Sequence, residues 1–300
     1  MQTLLHELQA AIAADNRSLE EQNVPISLSQ VNHPTCLCFS SPIALRLART
    51  WQRPALEIAE QLVTCLKLRF AALAQAEGAL FDITLTFDSA AWIYCQPSDR
   101  CLAAWLQQIV NRPPQLSSPD QRASLHSNGL ITKAKHQDYQ TFFLQYTHAR
   151  CCALIRLARS EGLLHLSEAV ATPSVRICWP PIPWLKADQL QLVHPTEHRL
   201  MTQLFTFPSA LAIHPPIEKI QQTALRFTFT IPWPLPERQL WRQTKTLSDA
   251  FHHLHRDCQI WGSQTELGLA QARLGLVLAT QSVLRLLLED LLGIHAPLEL

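Results

Sequence analysis

The chain has 300 residues, with 25 Lys and Arg against 24 Asp and Glu, a formal net charge of +1 with His neutral. Hydrophobic residues make up 47% and charged residues only 16%, where an average globular protein carries roughly 25% charged. These values exclude a mostly disordered chain and a strongly basic nucleic-acid protein, and leave room for a local basic patch. Nine cysteines is an odd count, and no basic run followed by an apolar stretch opens the sequence. The expectation is a cytoplasmic protein with reduced thiols. Seven glycines, 20 prolines and no GxGxxG or Walker-type lysine loop argue against a Gly-loop nucleotide binder.

Leu4, Leu5, Leu8, Ala11 and Ile12 form a helical stripe within Met1 to Asp15. Ser41-Pro42 reads as an N-cap followed by proline at the first helical position, opening a helix through Leu45, Ala48 and Arg49. A turn at Arg53-Pro54 opens a second helix with Ile58, Ala59, Leu62, Val63 and Leu66 on one face. Phe81 to Phe87 alternates strictly between apolar and polar, a half-buried strand, and Ala91 to Cys95 reads as its neighbour. Pro97-Ser98-Asp99 starts a helix bearing Leu102, Trp105, Leu106 and Ile109. The composition of Asn111 to Asp120 is that of a linker.

Residues 122–159 are locally basic: Arg122, Lys133, Lys135, Arg150, Arg156 and Arg159 stand against Asp138 alone. Tyr139 to Ala158 is helical by period. Thr172 to Trp184 is rich in Pro and Trp and is no regular element. A short helix over His194 to Phe207 ends at Pro208, and an extended piece runs from Leu225 to Ile231. Leu240, Leu247, Phe251, Leu254, Cys258 and Trp261 make one helical stripe, stopped by Gly262. The last helix runs from about Glu266 to Leu292. Gln281, Arg285, Glu289 and Asp290 interrupt its apolar run, so it is a buried bundle helix, not a membrane span.

Gln145-Tyr146-Thr147-His148-Ala149-Arg150 resembles the Gln-Tyr-Ala-His-Ala-Arg stretch that leads into the anticodon-binding helical (DALR) domain of arginyl-tRNA synthetases. Leu247 to Phe251 with Asp257 to Ile260, and Ala272 to Leu274 with Val283 to Arg285, resemble that domain's later helices. Leu291-Leu292-Gly293-Ile294-His295-Ala296-Pro297 is similar to its terminal Leu-Leu-Gly-Ile-x-Ala-Pro. Ala44 to Ala48, Glu57 to Glu60 and the two strands resemble the synthetases' additional N-terminal domain.

The resemblance covers roughly residues 30–110 and 140–300, and it implies an α+β N-terminal domain followed by a mainly α helical bundle. The expected boundaries are 1–111 for the first domain, 112–138 for a linker and 139–300 for the second. The family's catalytic domain belongs between the two blocks, yet about 30 residues separate Val110 from Gln145. No His-Ile-Gly-His-like or Lys-Met-Ser-Lys-like signature occurs. The expectation is a non-catalytic paralogue with no cofactor.

Two functions compete. In the first, the chain binds tRNA or another structured RNA through Lys133, Lys135, Gln145, Tyr146, His148 and Arg150, with Tyr146 stacking on a base and Arg150 meeting phosphate. Tyr94, where the family has the Asn that reads the tRNA D-loop, joins this set as a departure from the pattern. His148 and Arg150 can equally pin their helix inside the bundle. In the second, the chain reuses both folds without RNA, and Trp179, Trp184 and Trp233, set among prolines that the synthetases do not share, dock a protein partner; the same tryptophans can equally pin a long loop to the bundle. His255 and Cys258 are i, i+3, but with His252 and His253 they are read as helix residues and not as metal ligands. His33 with Cys36 and Cys38 is too short a ligand set.

Overall fold

The computed structural model describes residues 29–31, 36–114, 138–168, 176–178, 180–210, 237–262 and 265–300. Of the sequence features above, the stripe at 1–15, the piece at 225–231, and Lys133, Lys135, Trp179 and Trp233 lie outside these residues. The described residues fall into two compact units. One runs up to Trp105 and takes in Leu185–His198; the other comprises Leu106–Trp184 and Arg199–Leu300.

The first unit is α+β. Strands β1 (Ser29–Val31), β2 (Cys38–Ser41), β3 (Ile83–Phe87) and β4 (Ile93–Pro97) form one antiparallel sheet in the order β1-β2-β4-β3. Its register sets Phe39 opposite Cys95, and Leu85 opposite the same residue from the other side. Helices α1 (Ile43–Trp51) and α2 (Ala55–Glu77) pack on each other, and α2 packs on β3. Phe39, Ile43, Leu47, Ile58, Leu62, Leu66, Leu85 and Ile93 are fully buried and make the core.

Ser41 is not the N-cap its sequence context predicts. It is buried, ends β2 opposite Ile93, and Pro42 occupies the cap position with no side-chain bond. The pairing with β4 takes Ser41 into the sheet, and tertiary pairing outweighs the local capping preference. The β3–β4 turn is held by Asp88, whose Oδ1 accepts the Ala90 and Trp92 amides at 3.0 and 2.9 Å. That frame supports Ala91 in the left-handed region at φ 61°.

The second unit is helical. It contains the end of α3 (Asp99–Asn111), then α4 (Asp138–Ser160), most of α5 (Pro195–Ala210), α6 (Glu237–Asp257) and α7 (Leu267–Arg285). A single turn of π-helix, Leu286–Leu291, carries α7 on to Gly293, which takes φ 65°. α4 packs against α7 and α6, and α6 against α7. Leu274 to Leu284 is buried without interruption, the polar Thr280, Gln281 and Ser282 included; Thr280 and Ser282 bond carbonyls one turn back and Gln281 bonds His148.

Trp184 belongs to this core. It is 3% exposed, and its Nε1 donates to Gln107 Oε1 at 2.9 Å. The same oxygen accepts the Ile182 amide at 3.1 Å. This corrects the reading of Trp184 as a docking residue: the side chain faces inward and fills the space left by a glycine of α7. A Cβ on Gly275 would collide with the Trp184 ring and lie 2.7 Å from Ile182 Cδ1. Ala for Gly in a helix interior gains about 1 kcal/mol of propensity, while overpacking a tight site costs about 1–3 kcal/mol. The clash with a fixed indole puts the cost at the upper end. Gly275→Ala should therefore lower the melting temperature, and scanning calorimetry of the variant checks this.

Candidate nucleic-acid interface

α4 has two working faces, separated by the helical period. Gln145, His148, Cys152 and Arg156 recur at i, i+3, i+7 and i+11 and turn to the C-terminal tail. His148 is fully buried; its Nδ1 lies 2.9 Å from the Pro297 carbonyl and its Nε2 2.9 Å from Gln281 Nε2. A carbonyl only accepts, so Nδ1 carries the proton, and Nε2 accepts from the Gln281 amide. Gln145 Nε2 donates to the His295 carbonyl at 2.9 Å. Arg156 donates to the Leu298 carbonyl at 3.1 Å and pairs with Glu299 at 3.3 Å. The tail residues Gly293 to Glu299 thus lie clamped along α4.

This geometry corrects one of the sequence-selected residues. His148 offers no atom to a ligand outside the bundle, because both ring nitrogens are occupied inside it; it fixes α4, the alternative that the sequence left open. Gln145 gives one of its two amide N–H groups to the tail.

The opposite face carries Tyr139, Phe142, Tyr146 and Arg150, again at i, i+3, i+7 and i+11. Tyr139 is 80% exposed, Phe142 53% and Tyr146 42%. The Phe142 and Tyr146 rings stack, with centroids 6.3 Å apart and planes at 21°. Tyr146 in turn stacks on His252 of α6 at 5.9 Å and 6°. Three nearly parallel rings therefore run from solvent to the α4–α6 junction.

The inner end of the row is pinned. Thr147, buried, donates its hydroxyl to the Phe143 carbonyl at 2.8 Å and receives the His252 Nε2 proton at 3.0 Å. Phe143 packs against His252 with centroids 5.1 Å apart, and Lys245 Nζ sits 5.9 Å over the Phe143 ring. Arg150 reaches His255 Nε2 at 3.4 Å. The face thus presents flat rings flanked by cations, a surface suited to unstacked bases and their phosphates.

Tyr139, Phe142, Phe143, Lys245 and His252 were not selected from the sequence as part of this face. The aromatic spacing Tyr139-Phe142-Tyr146 was a readable signal for a single exposed stripe. The α6 contribution was not, because the pairing of α6 with α4 is a tertiary fact.

Tyr94 lies apart from this face, in the first unit. Its hydroxyl donates to Asp88 Oδ2 at 2.9 Å, so it braces the β3–β4 turn. The Trp92 amide bond first, and the Tyr94 hydroxyl with it, hold the Asp88 carboxyl below its usual range. Among the described residues no group of three or more His, Cys, Asp or Glu could hold a metal ion. No helix among them is long and apolar enough to cross a membrane.

Residues 144–300 match the family model described as the DALR anticodon binding domain. The arginine–tRNA ligase of Pelodictyon phaeoclathratiforme is 27% identical over 168 residues, 56% of this chain and 24% of that protein. The arginine–tRNA ligase of Symbiobacterium thermophilum is 29% identical over 167 residues, again 56% of this chain and 24% of the relative. That of Ruminiclostridium cellulolyticum is 30% identical over 156 residues, 52% of this chain and 21% of the relative. The matched stretch spans about a quarter of the length of these curated relatives. No solved structure matches.

Two outcomes follow from the packing. His148→Ala removes a filled volume and leaves the Gln281 amide and the Pro297 carbonyl without their partner, a loss of about 3 kcal/mol. Chemical denaturation should read it as a lower midpoint. The second outcome is pH dependence. Burial, ahead of neighbouring charges, depresses the pKa of His252 and of His255 below 6.5. The folded state therefore favours the neutral rings. That stability is present above about pH 6.5 and is lost as pH falls through the depressed values. The denaturation midpoint should fall on acidification, and less so in a His252→Gln, His255→Gln double variant.

Proposed function

The chain belongs to the DALR anticodon binding domain family, and from that premise we propose that it binds tRNA or another structured RNA without catalysing aminoacylation. The observation that carries this reading is the exposed ring row Tyr139, Phe142 and Tyr146, continued by His252 and flanked by Arg150 and Lys245. Bases splayed from an RNA loop stack on such rings, and the cations meet the backbone. The arginine–tRNA ligases to which the chain is similar support tRNA as the RNA. The family model that matches describes the anticodon binding domain alone. The sequence also has no ATP-site signature, and both points support binding without chemistry.

Within this reading Tyr146 and Arg150 are the contact residues, and Gln145 and His148 position them. Lys133 and Lys135, earlier in the same locally basic segment of sequence, are proposed as phosphate contacts. The first unit, by its resemblance to the synthetases' additional N-terminal domain, supplies a second RNA-facing part, in which Tyr94 stands at the D-loop position. The rival reading, a protein-docking module built on the three tryptophans, loses support because Trp184 is buried.

Binding of unfractionated tRNA to the full chain and two variants tests the proposal. Tyr146→Ala should weaken binding by about ten- to a hundredfold, since stacking of a base on an aromatic ring contributes about 1–3 kcal/mol. Arg150→Ala should weaken it and lower the slope of log K against log salt by about 1. Equal affinities for the wild type and both variants would contradict the proposal.

A further inference from the structure

We propose that Arg150 and His255 form a seat for one RNA phosphodiester group, completed when His255 takes up a proton as the phosphate arrives. The inference rests on the RNA-binding reading and adds to it one residue and one proton. Arg150 Nη2 lies 3.4 Å from His255 Nε2. A guanidinium has only donors, so this ring nitrogen offers its lone pair and the ring proton sits on Nδ1. His255 is therefore neutral in the unliganded chain.

The pair stands one helical turn beyond the ring row. Arg150 follows Tyr146 by four residues on α4, and His255 follows His252 by three on α6. One turn is about 5.4 Å, a distance that a single nucleotide spans. A base lying on the row thus brings its phosphate within reach of both side chains. Arg150 is exposed and His255 half-buried, so the seat opens to solvent.

The charged groups around it are mostly cationic or paired. From α4 comes Arg150; from α6 come His252, His253 and Arg256, with two acids, Asp249 bonded to Lys245 and Asp257 bonded to Arg256, each at 2.7 Å. Burial first, then the Arg150 charge, holds the His255 pKa below its usual value. A phosphate oxygen placed between the two side chains reverses the balance. It accepts from Arg150, offers His255 an acceptor, and cancels the repulsion that protonation would otherwise create. The proton comes from solvent and no covalent bond changes. By linkage, a ligand that favours the protonated ring is itself bound more tightly at lower pH.

Unfractionated tRNA is the probe, titrated into the full chain at fixed salt. Between about pH 7.5 and about pH 6.0 the wild-type affinity should rise about three- to tenfold. Calorimetry in two buffers of different ionisation enthalpy should show net proton uptake on binding. His255→Asn should abolish most of the rise. His255→Lys, a fixed cation, should bind at about pH 7.5 as the wild type does at about pH 6.0. Thermal melts of both variants show that the comparison is between folded proteins. A wild-type affinity independent of pH, or a pH slope unchanged in His255→Asn and His255→Lys, overturns the seat and leaves the RNA reading standing. Absence of tRNA binding at every pH overturns both.

Discussion

Two hydrogen bonds from the buried ring of His148 tie α4, α7 and the C-terminal tail of the helical unit to one another. Nδ1 reaches the Pro297 carbonyl and Nε2 the Gln281 amide, each at 2.9 Å. Only an imidazole protonated at Nδ1 meets both partners, one an acceptor and one a donor. A buried polar contact of this kind fixes a unique arrangement more than it adds stability, because an unmatched partner is costly. Gln145 and Arg156 extend the lock along the same side of α4.

The lock determines which way the rest of α4 points. With residues 145, 148, 152 and 156 turned to the tail, the helical period turns 139, 142, 146 and 150 away from it. Those four positions hold three aromatic rings and an arginine. Thr147 joins the two sides: its hydroxyl bonds the Phe143 carbonyl within α4 and receives His252 from α6. Packing contacts and the exposed positions thus alternate within one six-residue stretch, 145–150, and are separated by phase alone. On α6, burial holds the pKa of His252 and of His255 below the usual imidazole value.

Much of this was legible in the sequence. The α+β unit, the strand alternation at Ile83–Phe87 and the helical second half follow from periodicity. The Gln145–Arg150 stretch and the Leu291–Pro297 ending carried the family resemblance. What periodicity could not supply was the phase between motif residues and their neighbours. His148 and Tyr146 differ by two positions, so one is interior and the other exposed. Choosing between them required knowing that the tail covers the His148 side. Trp184 misled for a related reason. A tryptophan among prolines looks like a surface anchor, yet Gly275 on a helix distant in sequence leaves the space that takes its ring. Ser41 misled because a strand pairing, invisible locally, drew a would-be cap into the sheet.

Photo-crosslinking tests the central claim most directly. The full chain would be irradiated with tRNA carrying 4-thiouridine in its loops, and the adducts mapped by peptide sequencing. The account predicts adducts on the exposed rings of α4, at Tyr139, Phe142 or Tyr146, and their loss when excess unlabelled tRNA competes. Adducts that avoid α4 and α6 while binding is demonstrably intact would contradict it.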